Sequence, residues 1–128
     1  MPKPCIILSA CKGQHDYDDA VATRCLRASL KAEGVPFKQV KGYWKGQAED
    51  SFVAVPRFGT QDEEFIRRLA SHYRQETILH LTNQRIGLLE DLVTGEMTRI
   101  GYWREWQSKV MPLPDSYTES EGRIYVCC

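Results

Sequence analysis

"PCIILSAC", residues 4–11, is almost continuously apolar and is bounded by proline on one side and a glycine-containing loop on the other. An apolar run of this length, without alternation, predicts a strand that is buried on both faces in the middle of a sheet. The other elements can be placed outward from this strand in chain order.

The stretch that follows predicts a helix over about residues 20–32, because apolar residues recur there at helical spacing. Asp18 or Asp19 is expected as its N-cap, and "EGVP" ends it. The histidine and acids of "HDYDD" are also conceivable metal ligands. A capped helix start explains them better, since acids are favoured at the positive end of a helix.

A second helix is predicted by "TQDEEFIRRLASHYRQ", residues 60–75, which carries an apolar stripe and a capping box of Thr60 and Glu63. Three further strands are predicted at "FKQVKGYW", "SFVAVP" and "ETILHLT". The order β-α-β-β-α-β predicts an α+β, ferredoxin-like core in which the first and third strands are central and the fourth pairs with the first. Additional C-terminal strands are expected after it. The 128 residues predict a single domain spanning 1–128.

Composition excludes several classes of protein. Seventeen basic and 17 acidic residues give a net charge of zero, whereas nucleic-acid binders usually carry a basic excess. The apolar run near the N-terminus is too short for a signal peptide or a membrane span, so a cytoplasmic protein is expected. The five cysteines form neither a disulfide framework nor a CxxC pattern, and the three histidines show no ligand spacing. We therefore expect no metal, no nucleic-acid partner and no membrane association.

The segment "GYWKGQAEDSFVAV", residues 42–55, places Tyr43 and Trp44 close to Glu49 and Asp50 at the mouth of a strand. Aromatic rings next to carboxylates indicate a small-molecule site, although an ordinary hairpin turn would have the same composition. Aromatic faces attract cations, and a nearby carboxylate adds to that attraction.

The pair Gln75–Glu76 lies where the second helix meets the fourth strand. It can be a simple polar helix end. However, an acid at a helix C-terminus opposes the helix dipole, and a local rule broken without local gain often marks function. A site that combines this pair with the 42–55 segment could form across an oligomer interface. The aromatic residues of the C-terminal tail, Tyr102, Trp103 and Trp106, also favour an oligomer.

Four segments together resemble the phage-encoded S-adenosylmethionine lyases, formerly called SAM hydrolases, and related bacterial domains of unknown function. "IILSACKG" is similar to the family's opening strand, and "KGYWKGQAEDSFVAV" to its G-x-Y segment followed by an acid before a V-x-V strand. "YRQETILHL" resembles its Q-E or Q-D pair, and "SYTESEGRIYVCC" its aromatic-Thr, Gly-Arg, aromatic-Val ending.

The resemblance implies a homotrimer similar to PII signal proteins, with active sites between subunits. It also implies cleavage of S-adenosylmethionine into methylthioadenosine and homoserine lactone without a cofactor, in a host cytoplasm if the gene is carried by a phage, where the activity would counter restriction. Carried over residue by residue, Glu49 and Glu76 would be catalytic, and Tyr43, Gln75 and Asp50 would bind substrate. The segment between Tyr43 and the acid is shorter than in the family, so either Glu49 or Asp50 can be the family acid.

Two alternatives remain open. A non-catalytic binding or interaction module could keep the same fold, since folds are shared across functions. Such a module would have no need of both Glu49 and Glu76. Hydrolysis by an activated water would instead need a general base, which either glutamate could provide.

Overall fold

The computed structural model describes residues 3–11, 16–44, 47–107, 113–114 and 116–128, leaving aside the side chains of Asp16, Tyr17 and Trp44. Two helices and eight strands are present in these ranges: β1 (Cys5–Ser9), α1 (Asp16–Glu33), β2 (Phe37–Trp44), β3 (Gln47–Ala54), α2 (Asp62–His72), β4 (Thr77–Leu81), β5 (Ile86–Asp91), β6 (Met97–Glu105), β7 (Tyr117–Ser120) and β8 (Arg123–Cys127).

The eight strands form a closed antiparallel barrel in the order β1-β3-β2-β7-β8-β6-β5-β4, with β4 returning to pair with β1. The predicted ferredoxin-like fold class is therefore wrong. Such a core has an open sheet with two edge strands, whereas here β5 covers the outer side of β4 and β7 covers the outer side of β2. The C-terminal strands are part of one continuous sheet.

The main hydrophobic core lies between the two helices and one face of β1, β3 and β4. Phe52 is fully buried there and contacts the ring of Phe37 edge-on, with 5.7 Å between ring centroids. Because strand residues alternate between the two faces of a sheet, every second residue of β1 and β3 points out of the barrel toward the helices. The core cluster contains Ile6, Leu8, Ala10, Leu26, Leu30, Val35, Phe52, Ala54, Ile66, Ala70 and Ile78.

Both predicted helices are present, but their starts differ from expectation. Helix α1 begins at Asp16, so Asp18 and Asp19 lie within its first turn and neither is the N-cap. In α2 the N-cap is Gln61, without a capping hydrogen bond from its side chain. Thr60 Oγ1 instead accepts from the backbone N–H of Asp62 at 3.3 Å, so the predicted capping box with Glu63 is not formed.

A bulge helps β6 to follow the curvature of the barrel. The pairing register between β5 and β6 shifts next to Gly87, and Gly101 adopts a positive φ of 125°. A Cβ at Gly101 would stand 2.5 Å from the carbonyl carbon of Cys128. Since the N–H of Tyr102 donates to the Cys128 oxygen at 2.8 Å, glycine is required for this close approach between neighbouring chain segments.

Candidate functional site

One end of the barrel brings the sequence-predicted segments together. The antiparallel register places the end of β1, the end of β2, the start of β3 and the residues before β4 at this end. Helix α1 also begins close to it, because the charge of Asp19 in its first turn acts on Glu49 at the start of β3. Distant parts of the sequence therefore surround one region of the surface.

Asp50 is held by contacts on both its side chain and its backbone. Its carboxylate accepts a hydrogen bond from Lys41 Nζ at 3.1 Å, and the two side chains form an exposed ion pair. Its backbone carbonyl accepts from Ser9 Oγ at 2.8 Å and from Cys11 Sγ at 3.7 Å. The charge of Asp50 is thus already partnered by a cation, and its backbone joins β3 to the end of β1.

Gln75 links the segment before β4 to the same place. Its Nε2 donates to the backbone carbonyl of Cys11 at 3.0 Å, and its own N–H donates to the Ala70 carbonyl at 3.0 Å. Gln75 is half-buried. Because Cys11 also contacts Asp50, a chain of direct contacts runs from the end of α2 to the β2–β3 hairpin within one subunit.

Glu49 has a different environment from its neighbour Asp50. It pairs with Gly42 in the register of the hairpin, and consecutive strand residues point to opposite faces. Burial raises the pKa of Glu49 above its ordinary value, and the negative charge of Asp19 raises it further. Among the described residues, no lysine, arginine or histidine forms an ion pair with Glu49.

Tyr43 lies on the face opposite to Glu49. It pairs with Ala48 on one side and with Tyr117 on the other, and its ring stacks on the ring of Tyr117 with 4.4 Å between centroids and 16° between planes. The register between β2 and β3 is continuous from Phe37 to Trp44, so this separation is fixed by the strand alternation. Tyr43 and Glu49 of one chain therefore lie on opposite faces of the hairpin. A small molecule bound on either face can contact only one of them.

Glu76 is exposed and occupies the bend just before β4, as its sequence position predicts. Its backbone carbonyl accepts a hydrogen bond from the N–H of Leu92 at 2.9 Å, which fixes the direction of the chain. Its carboxylate makes no ion pair or hydrogen bond with any residue that the structure describes. The side chain is available to solvent or to a second molecule.

Sequence reasoning missed the buried acid Glu90. Its carboxylate accepts hydrogen bonds from Arg67 Nε at 2.9 and 3.0 Å and lies 2.6 Å from His80 Nε2. Burial works to raise the pKa of Glu90, but the bonds from Arg67 and His80 outweigh it and hold the pKa below its ordinary value. His80 therefore bonds to an acid that directly follows the apolar run "IGLL", and an acid at the end of such a run is a signal visible in the sequence.

The conceivable metal site in "HDYDD" gains no support. His15 lies outside the described residues, and so does the side chain of Asp16. In the part of the chain that the structure describes, no group of three or more histidine, cysteine, aspartate or glutamate residues could hold a metal ion. Neither described helix is long and apolar enough to cross a membrane.

Comparison with known families decides the relationship. The sequence profile of the S-adenosylmethionine lyase family matches residues 6–128, which is nearly the whole chain. The chain belongs to the S-adenosylmethionine lyase family. No curated protein sequence matches it. The family name indicates a lyase and implies S-adenosylmethionine as substrate, and the match covers every segment of the candidate site in this family member.

Proposed function

We propose that this protein cleaves S-adenosylmethionine into methylthioadenosine and homoserine lactone. The observation that carries the proposal is Glu49, a half-buried carboxylate that faces the charge of Asp19 and pairs with no described cation. A carboxylate without a paired cation at a partly desolvated position favours a positively charged ligand. The sulfonium of S-adenosylmethionine is such a charge, and family membership supports this substrate.

The substrate supplies its own nucleophile. The methionine carboxylate attacks the γ-carbon, a C–O bond forms, and the C–S bond breaks with its electron pair moving to sulfur. The sulfonium becomes a neutral thioether and the carboxylate becomes a five-membered lactone, so charge and atoms balance without a cofactor. Holding the two ends of one molecule in reactive geometry can lower a barrier by about 7–11 kcal/mol in the best cases. The protein must fold the substrate and exclude water.

The residues divide into roles by their placement. Glu49 provides the charge that attracts and orients the sulfonium end, whereas Asp50 is paired with Lys41 on the opposite face. Gln75 holds the end of β1 through Cys11 and positions the pocket wall. Glu76 is exposed and contributes its carboxylate to substrate from the rim.

We infer that complete sites form between subunits of a homo-oligomer, with a trimer as the expected state. Tyr43 and Glu49 lie on opposite faces of one hairpin, so a substrate that contacts both must take them from different copies. Light scattering at micromolar concentration tests this. A monomer that is fully active would contradict sites between subunits.

The decisive experiment is incubation of the purified protein with S-adenosylmethionine, followed by mass spectrometry of the products. Methylthioadenosine with homoserine lactone is the expected result, and homoserine as the first product would indicate hydrolysis by water instead. Glu49→Gln should lower turnover by about two to three orders of magnitude, as loss of a charge in a preorganised site typically does. Asp50→Asn should retain turnover. The reverse pattern would assign the role to Asp50.

Hydrolysis is the second candidate, and the raised pKa of Glu49 is the observation that favours it. A carboxylate with a raised pKa is a stronger general base toward water. In that case activity would rise with pH as Glu49 ionises, and heavy-oxygen water would label homoserine at the γ-position. A non-catalytic binding module would bind S-adenosylmethionine without releasing either product.

A further inference from the structure

The interior of the barrel contains a cavity of about 320 Å³. Strands β1, β2, β3, β4, β6, β7 and β8 each contribute at least one lining residue, so the cavity lies inside the barrel. It is nearer the end away from Gln75, since its lining includes Cys5 at the start of β1 and Leu81 at the end of β4. Glu49 lies four residues before the lining residue Val53 on β3, which corresponds to about 13 Å along the strand.

The cavity combines two cations with hydroxyl groups. Lys38 and Arg85 line it together with the hydroxyls of Thr118 and Ser120, and none of the described lining residues is acidic. Burial raises the pKa of the Cys5 thiol, which also lines the cavity and therefore stays neutral near pH 7. Glu121, at an exposed position on the β7–β8 turn, pairs with Lys38 Nζ at 3.1 Å. The charge of the cavity wall is thus positive.

Arg85 is held in place but keeps donors to spare. Its Nη1 donates to the Lys3 carbonyl at 3.1 Å and to Cys5 Sγ at 3.5 Å, and its backbone carbonyl accepts from the N–H of Trp103 at 2.8 Å. A guanidinium has five N–H donors in a planar fork that suits carboxylate and phosphate oxygens. The Nε and Nη2 donors bond to no acceptor among the described residues, so they remain available to a ligand.

One wall of the cavity is aromatic. The rings of Trp103 and Tyr125 lie parallel, with 5.4 Å between centroids and 4° between planes, and both line the cavity. Parallel rings present a flat surface on which another planar ring can stack. A volume of about 320 Å³ is at the lower end of the range for small-molecule sites, which is roughly 300–1,000 Å³.

We propose that the barrel interior is a second ligand site, for a small planar aromatic molecule that carries a carboxylate or phosphate. The anionic group would lie between Lys38 and Arg85, and its ring would lie on the wall formed by Trp103 and Tyr125. Glu49 lies on the same face of β3 as the lining residue Val53 but does not itself line the cavity, and the proposal does not depend on lyase activity.

The probes are 2-naphthoate, 2-naphthyl phosphate and the neutral 2-naphthalenemethanol, titrated into the full chain by calorimetry. Binding of at least one anion, with the neutral alcohol weaker by about tenfold or more, is the expected result. The preferred anion identifies carboxylate or phosphate as the natural group. Equal binding of the alcohol, or no binding of either anion at millimolar concentration, would overturn the proposal.

Variants locate the binding. Lys38→Gln and Arg85→Gln should each weaken the preferred anion by about tenfold, and Trp103→Leu should weaken all ring-bearing probes. Arg68→Gln removes an exposed cation on α2 and serves as the matched control. Because Arg85 also bonds to Lys3 and Cys5, its variant is checked by melting temperature, and Lys38→Gln decides the case if Arg85→Gln does not fold. Unchanged affinity in Lys38→Gln would overturn the proposal.

A competition experiment separates this site from the lyase site. Saturating S-adenosylmethionine, with turnover stopped by Glu49→Gln, should leave the anion's affinity unchanged. Displacement of the anion by S-adenosylmethionine would show that the cavity belongs to the substrate site, which would overturn a separate one. Absence of lyase activity would leave the calorimetric result as it stands.

Discussion

At the scale of single residues, Glu49 and Asp50 show how adjacent acids acquire different chemistry from the alternation of one strand. The negative charge of Asp50 is paired with Lys41, whereas Glu49 is half-buried near the acid Asp19. A sequence can identify the pair but cannot choose between its members, because their order carries no information about which face is buried. The strand register supplies that choice.

The environment of Glu49 predicts a trade between stability and function. Its folded-state pKa lies above its unfolded-state pKa, so the stability that it contributes is complete below about pH 4.3 and is lost as pH rises through the raised value. Glu49→Gln should therefore raise the melting temperature at pH 7 and leave it nearly unchanged at pH 4. Thermal denaturation at both pH values checks this, with the exposed Glu64→Gln as control. A lower melting temperature at pH 7 would contradict it.

Cysteine reactivity should follow burial. Cys25 on α1 is exposed, as is Cys128, whereas Cys5 and Cys11 are buried. Burial, with the neighbouring Cys128, raises the pKa of Cys127 to about 11. Because the thiolate is the reactive form, iodoacetamide at pH 8 should label Cys25 and Cys128 well before the other three. Peptide mass spectrometry over time measures this, and early labelling of Cys127 would contradict the described packing.

At the scale of elements, much of the fold follows from local pattern and some does not. The apolar run of β1, the β2–β3 hairpin and the pairing of β1 with both β3 and β4 were predicted from the sequence and are present. Barrel closure was missed because it depends on pairings of β7 with β2 and of β8 with β6, which join segments far apart in the chain. No local pattern encodes those distances. The Gln75–Cys11 contact was missed for the same reason.

The bulged strand β6 should depend on Gly101. Gly101→Ala forces a side chain into a positive φ and against the backbone of Cys128, which should reduce the free energy of unfolding by at least about 1–3 kcal/mol. Gly95→Ala is the matched control, since Gly95 also has a positive φ but its Cβ would meet no atom within 4 Å. Urea denaturation compares the two. Equal destabilisation would show that backbone strain alone accounts for the loss.

The contact between α2 and the barrel should rest on Glu90 more than on Glu63, although both bond to Arg67. The Glu90 side chain is 8% exposed and the Glu63 side chain is 52% exposed. Glu90→Ala leaves Arg67 and His80 without their acceptor and should cost about 2–3 kcal/mol, while Glu63→Ala should cost less than about 1 kcal/mol. Denaturant unfolding of both variants tests the difference, and similar losses would contradict a structural role for the buried network.

Acid should weaken this contact in a defined range. The folded-state pKa of Glu90 is below its ordinary value, so its contribution is present above the unfolded-state pKa and is lost as pH falls through the depressed value. In Glu90→Ala this part of the acid sensitivity should disappear. Melting temperatures measured between pH 6 and pH 3 would reveal it, and parallel pH curves for parent and variant would exclude Glu90 as the cause.

At the scale of the whole molecule, the barrel limits how copies can associate. Each of the eight described strands has a neighbour on both sides, although the first residues of β6 pair with β5 and with no described residue of β8. In the proposed oligomer, the exposed apolar residues Ile100 and Tyr102 on β6 are available for side-chain contacts between copies. Side-chain contacts also suit a site that takes different residues from different copies.

A mixing experiment tests the proposal that each site takes Tyr43 from one copy and Glu49 from another. Tyr43→Ala and Glu49→Gln should each be nearly inactive alone. Copurified from one cell, they should regain activity at about one quarter of the sites, since random association restores both groups to that fraction of interfaces. Turnover of S-adenosylmethionine by the mixture measures this. No recovery, with oligomerisation intact, would place both residues in the same subunit's site or remove Tyr43 from it.

Closure of the barrel also has a consequence for the speed of folding. Strand β1 pairs with both β3 and β4, and β2 pairs with β7, which lies near the C-terminus. Contacts between such distant segments require large loops to close before any pairing energy is gained. Proteins dominated by non-local pairing typically fold in milliseconds to seconds. The strand pairing that closes the barrel should therefore be the slowest to form. The barrel interior should stay exposed to solvent until that pairing is complete.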